Sequence, residues 1–191
     1  MEDLLQQEIE RSLNILKKGK VLLYPTDTVW GLGCDATNSK AVQKIFKIKN
    51  RQEGKSMIVL LASPDELEKH IKDVPPIAYD LIANAHNPLT IIYPRAQNLA
   101  KNLIAPDGTI AIRVIKDEFC TQMIERFGKP VVSTSANLAG DPAPPTFYDI
   151  DKSIIKKADY SVQVFHDRLK SIKPSTIIRL SDDNLFEIIR P

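Results

Sequence analysis

Leu5, Ile9, Leu13 and Leu16 recur at helical spacing along residues 4–16, and Gly19 follows where such a helix stops. Val21-Leu22-Leu23-Tyr24 is a short continuous apolar run, the pattern of a buried strand, and Pro25 cuts it. Residues 25–36 contain Gly31 and Gly33 and no period, which predicts a structured loop. Ala41, Val42, Ile45 and Phe46 mark one face of the next helix, with Lys40, Lys44 and Lys47 on other faces. Residues 57–62 are an apolar run of strand length. Ser63-Pro64-Asp65-Glu66 then supplies a cap serine, a proline at the first helical position and a glutamate three residues after the cap, the pattern of a capping box.

Residues 77–85 read as a helix, and residues 89–93 and 109–114 as strands. Phe119, Met123 and Phe127 sit four apart on a helix that Gly128 ends, and Pro130-Val131-Val132 opens another strand. Residues 133–145, rich in small, polar and proline residues, read as a loop. A helix is expected over 147–158 and strands over 161–165, 176–180 and 185–189. Strands and helices mingle without strict alternation. The expected class is therefore α/β, with a twisted mixed parallel/antiparallel sheet and flanking helices. No internal repeat or heptad divides the chain, so residues 1–191 read as one domain.

Composition narrows the class further. A chain of 191 residues with 43% hydrophobic and 26% charged content is neither disordered nor fibrous. Two cysteines, Cys34 and Cys120, and scattered His70, His86 and His166 make neither a disulfide framework nor a metal knuckle. An acidic start, Met1-Glu2-Asp3, and no apolar run near the ~20 residues that span a bilayer argue against secretion and membrane spanning, and for a cytoplasmic protein. Net charge is only +2, but six basic residues and one acid, Glu53, lie between Lys40 and Lys55.

Gly31-Leu32-Gly33 lacks the third glycine of a dinucleotide loop, and no Walker sequence, Gly-x-Ser-x-Gly elbow or zinc signature occurs. Three segments stand out. Residues 24–33 place two hydroxyls, a carboxylate and Trp30 directly after a buried strand, as turn chemistry or as part of a site. Lys49-Asn50-Arg51 with Lys55 ends a basic helix, where cations offset the helix dipole or clamp phosphates; arginine offers a planar fork and lysine a mobile point charge. Ser133-Thr134-Ser135-Ala136-Asn137 turns the chain or forms a polar cradle at a strand's end.

Together with Thr109-Ile110-Ala111-Ile112-Arg113 and Lys173-Pro174-Ser175-Thr176-Ile177-Ile178, these segments resemble the YrdC-like threonylcarbamoyl-AMP synthases over nearly the whole chain, in the single-domain form. The resemblance implies a YrdC-like domain with a basic concave cavity, joining L-threonine, bicarbonate and ATP into threonylcarbamoyl-adenylate with release of pyrophosphate. The product serves the threonylcarbamoyl modification of an adenosine in tRNA. Carried over, Lys49, Arg51, Lys55, Thr109, Ser135, Asn137, Ser175 and Arg190 fall at the ATP, and Thr28, Arg113 and Ser133 at the threonine. The implied catalytic pair is Lys49 and Arg51, with magnesium accompanying ATP and no metal held by the protein. No protein nucleophile is expected, and Asp27 orients the loop or assists a proton transfer.

The chain departs from the family pattern at three places. Leu60 or Leu61 stands where relatives often carry a histidine, His86-Asn87-Pro88 replaces a proline-glycine-proline, and Trp30 replaces a common tyrosine. Downstream tRNA-modification proteins are the implied partners. The rival readings are a tRNA or double-stranded RNA binder whose basic concavity reads backbone shape, and a paralogue with different adenylate chemistry.

Overall fold

The apolar stripe of the first segment builds α1 (Glu2–Lys17), which buries Ile9, Leu13 and Leu16. The computed structural model describes residues 2–51, 57–167, 174–181 and 185–191. Gly19, at φ +65°, closes α1 in a Schellman arrangement, with its N–H on the Leu16 carbonyl and that of Lys20 on the Ile15 carbonyl. The helices α2 (Ser39–Ile48), α4 (Ile77–Asn84) and α5 (Glu118–Phe127) lie where the periodicity put them. The Ser63 capping box is present, on a single 3-10 turn at residues 64–66 that runs into the short α3 (Leu67–His70).

Among the described residues nine strands form one sheet in the order β7-β1-β2-β6-β3-β5-β4-β8-β9. They are β1 (Leu22–Tyr24), β2 (Gly31–Gly33), β3 (Ile58–Leu61), β4 (Leu89–Tyr93), β5 (Ile110–Val114), β6 (Val131–Ser135), β7 (Tyr160–Ser161), β8 (Thr176–Leu180) and β9 (Phe186–Arg190). The pairs β1–β7, β3–β5 and β4–β8 are parallel and the others antiparallel, so the sheet is mixed as expected. Helices α1 and α5 pack together, α1 against β1 and α5 against β3. One buried apolar cluster extends from Ile9 to Leu180.

Four boundaries differ from the sequence reading. Residues 25–36 are not all loop, because Gly31-Leu32-Gly33 is the fully buried strand β2. Its glycines hide it from any propensity argument, yet Gly33 is required there: a Cβ would lie 2.5 Å from both Tyr24 Cε1 and the Val132 carbonyl oxygen. Strand β6 runs on through Ser133-Thr134-Ser135, since Gly31 and Leu32 pair with Ser135 and Thr134. The helix expected over 147–158 is a 3-10 turn (Phe147–Asp149) followed by α6 (Lys152–Lys157), started by the Asp151 side chain accepting from the Ser153 N–H. The strand expected over 161–165 is only β7, and Phe165 has φ +64°.

Candidate functional site

Registered neighbours across a sheet share a face. Ser135 faces Gly31 on β2, while Ser133 faces Ile58, Ile58 faces Ala111 and Ala111 faces Ile92. Gly31, Ala111 and Ser133 are small, so this row leaves a hollow, and a Cβ on Gly31 would already lie 3.2 Å from Ser133 Oγ. The resulting cavity measures about 300 Å³, and its walls carry Thr26, Thr28, Arg51, Arg113, Ser175 and Arg190. Three guanidiniums line it and, among the described residues, no carboxylate or histidine does.

One end is built by the loop after β1. Thr26 Oγ1 donates to the Val29 carbonyl at 2.7 Å and accepts from the Thr28 N–H at 3.1 Å, a local turn that presents Thr28. Arg113, only 3% exposed, reaches from β5 to this loop: Nη2 lies 3.1 Å from Asp27 Oδ1 and Nη1 donates to Thr28 Oγ1 at 3.4 Å. Its Nε has no acceptor among the described residues. Trp30 anchors the loop from behind, 5.0 Å from Phe147, which in turn stacks on His166 at 3.9 Å.

The other end belongs to the last strands. Arg190 donates from Nε and Nη2 to the Ser175 carbonyl at 3.1 and 2.7 Å, and the Ser175 and Thr90 hydroxyls are 2.7 Å apart. Burial lowers the Arg190 pKa from its ordinary value, with the charge of Arg113 adding to it, and burial alone lowers that of Arg51.

The structure therefore brings Thr28, Arg51, Arg113, Ser133, Ser135, Ser175 and Arg190 around one cavity. Lys49, Asn137 and Thr109 are placed differently. Lys49 is 2% exposed and its Nζ donates to the Ser135 carbonyl and, at 2.6 Å, to the Asn137 carbonyl, tying the end of α2 to the segment after β6. Burial, then the charge of Arg51, pushes its pKa down to about 8. The Asn137 amide donates to the Leu138 and Asp141 carbonyls and shapes that same turn. Thr109 caps a turn by donating to Asp107 Oδ1 at 2.7 Å, just before β5. Lys55 and Lys173 lie outside the described residues.

The sequence reading left Asp27 without a settled role and assigned no ligand to Thr26, Ile58, Ala111 or Pro174, all at or beside the cavity. Strand alternation from Arg113 back to Ala111 was the signal available for one of them. Leu60 and Leu61, the two positions at which the family resemblance expects a histidine, are both fully buried, and Leu60 is the register partner of Arg113.

The Sua5/YciO/YrdC family, described as "Telomere recombination", matches residues 14–191. The chain belongs to this family. A Methanocaldococcus jannaschii protein named putative threonylcarbamoyl-AMP synthase is 32% identical over 97% of this chain and 88% of its own. The Vibrio parahaemolyticus threonylcarbamoyl-AMP synthase is 32% identical over 89% of this chain and 97% of its own. Among solved members, Escherichia coli YciO superposes with a TM-score of 0.83 at 26% identity, covering 97% of this chain and 89% of that one. Pyrococcus abyssi Sua5, solved in complex with L-threonine, gives 0.82 at 28% identity over 90% of this chain. This Sua5/YciO/YrdC chain matches 50% of that Sua5.

Proposed function

We infer that the protein is a threonylcarbamoyl-AMP synthase, a nucleotidyltransferase that supplies the threonylcarbamoyl group for tRNA modification. The observation that carries this reading is the single cavity in which a hydroxyl-and-arginine end, Thr28 with Arg113 and Ser133, adjoins a second end with Arg51, Ser135, Ser175 and Arg190. The first suits an amino acid, whose carboxylate a guanidinium fork can hold at two points. The second suits a triphosphate.

In this reading the threonine amine and bicarbonate condense to a carbamate with loss of water. A carbamate oxygen then attacks the α-phosphorus while the bond to pyrophosphate breaks. The cavity has hydroxyls but, among its described residues, no histidine or carboxylate to activate one, so no covalent enzyme intermediate is assigned. Catalysis rests on in-line positioning and on neutralising the charge that moves to the leaving group, tasks suited to Arg51 and Arg190. Lys49 acts by holding the Ser135–Asn137 turn.

Magnesium accompanies ATP in this proposal as a ligand of the phosphates. Among the described residues no cluster of three or more His, Cys, Asp or Glu that could hold a metal is present, and no step is routed through a protein-held cation. Among the described residues no helix is long and apolar enough to cross a membrane, and a cytoplasmic site of action belongs to the same proposal. So do tRNA and its downstream modification proteins as partners.

The test is pyrophosphate release from ATP and bicarbonate, measured with and without L-threonine. Strong dependence on threonine is expected, and release that ignores the amino acid overturns the assignment. If RNA is bound instead, affinity falls steeply between low and moderate salt.

A further inference from the structure

Arg113, Arg51 and Arg190 line one cavity, and a triphosphate would attract all three. Something must reserve Arg113 for a different ligand. Its guanidinium leans toward the loop after β1, where Asp27 Oδ1 is 3.1 Å from Nη2 and Thr28 Oγ1 is 3.4 Å from Nη1. Arg190 is drawn the other way, with Nε and Nη2 on the Ser175 carbonyl. The two cations sense each other's charge, which contributes to the lowered pKa of Arg190. Asp27 is the acid paired with either of them among the described residues, and its side chain is 18% exposed, so it offsets the charge of Arg113 at the rim. A guanidinium has five N–H donors. With Nη1 donating to Thr28 Oγ1 and Nη2 at ion-pair distance from Asp27, Nε remains a buried donor without an acceptor among the described residues, the condition a ligand carboxylate would relieve.

We propose that Asp27 is a positioning residue for amino-acid selection, fixing the plane of the Arg113 guanidinium so that its remaining donors receive a substrate carboxylate instead of a phosphate. The proposal rests on the synthase reading, which supplies the amino acid as ligand. Asp27 thereby divides the cavity's cations: Arg113 serves the amino acid, and Arg51 with Arg190 serves the nucleotide.

The experiment measures L-threonine affinity by calorimetry, and KM for threonine and for ATP, in the wild type, Asp27→Asn, Arg113→Lys and the double variant. In Asp27→Asn, threonine binding weakens by ~10-fold or more, while KM for ATP stays within about threefold or falls, because a released Arg113 turns toward phosphate. A residue acting through Arg113 gives a non-additive cycle, so the double variant binds threonine within about threefold of Arg113→Lys alone. Asp27→Glu, which keeps the charge, recovers most of the affinity and separates positioning from a general loss of folding. Equal weakening toward threonine and ATP, or an additive cycle, overturns the proposal. A wild-type protein that binds no threonine refutes the synthase reading itself.

Discussion

The Lys49 ammonium lies 2.6 Å from the Asn137 carbonyl oxygen and also donates to the carbonyl of Ser135, so the cation at the end of α2 is spent on backbone. Lys49→Met keeps the length of the side chain and removes its donors, leaving two carbonyls short of a partner. The expected cost is about 2 kcal/mol of folding stability, read from denaturant titration, together with slower pyrophosphate release as the turn loosens. An unchanged denaturation midpoint with lost ATP affinity would instead make Lys49 a direct phosphate ligand.

The same residue sets a pH dependence. In the folded protein Lys49 titrates at about 8, below the 10.5 of a free lysine, because burial and then Arg51 oppose its charge. Below pH 8 both folded and unfolded chains carry the proton, and the burial cost is fully present. Between 8 and 10.5 the unfolded chain binds more protons, so this group's contribution to stability rises with pH across that window. From pH 7.5 to 10, wild type should therefore gain about 1 to 3 kcal/mol relative to Lys49→Met in denaturant titrations at each pH. A constant difference would mean that the two carbonyl hydrogen bonds hold the proton on throughout.

Much of the fold was legible because the periodic segments are long enough for burial to dominate. The stripe on α1, the capping box at Ser63 and the stop at Gly128 each rest on local chemistry and survive into the structure. What failed depends on distant partners. Gly31-Leu32-Gly33 has no strand propensity of its own and becomes β2 because β1 and β6 flank it. Ser133-Thr134-Ser135 is polar as a loop would be, yet it is strand, and Ser133 and Ser135 share the face that lines a cavity, itself a gap between strands. For the site, residue types were readable and their division of labour was not. Nothing local says that Lys49 turns inward to carbonyls while Arg51 lines the cavity, or that Arg113 meets Asp27.

Gly33 offers a check on β2 that is independent of function. Gly33→Ala places a methyl 2.5 Å from Tyr24 Cε1 and from the Val132 carbonyl, neither of which is a flexible side-chain end. A loss of about 3 kcal/mol or failure to fold is expected. Gly108→Ala is the control: at φ +78° with nothing within 4 Å of the new methyl, it carries only backbone strain, about 1 kcal/mol. Equal effects in thermal denaturation would mean that β2 is not packed this closely.

Arg51 carries the nucleotide prediction. It is half-buried at the cavity wall, so Arg51→Ala should weaken ATP binding by about 1.5 to 3 kcal/mol, the loss of a charge-assisted hydrogen bond, while the melting temperature barely moves. Retained ATP affinity in a folded Arg51→Ala protein would remove this residue from the phosphate site.

Amino-acid choice is the sharpest test of the site, because apolar Leu60 and Leu61 stand where the family resemblance expects a histidine, and Leu60 pairs in register with Arg113. Thr28 and Ser133 still offer hydroxyls in the same cavity as the Arg113 fork, so L-threonine should remain the preferred substrate. Serine lacks only a methyl group, and an apolar contact of that size discriminates by about 1 to 3 kcal/mol, so serine should react roughly 10- to 200-fold less efficiently than threonine. Valine keeps the branched shape and loses the hydroxyl, leaving a buried polar partner unpaired, and should fare worse than serine. Adenylate formation measured with the three amino acids at matched concentration ranks them directly. Serine matching threonine would show that the pocket does not read the methyl, and valine matching threonine would show that it does not read the hydroxyl; either result favours a paralogue with different adenylate chemistry.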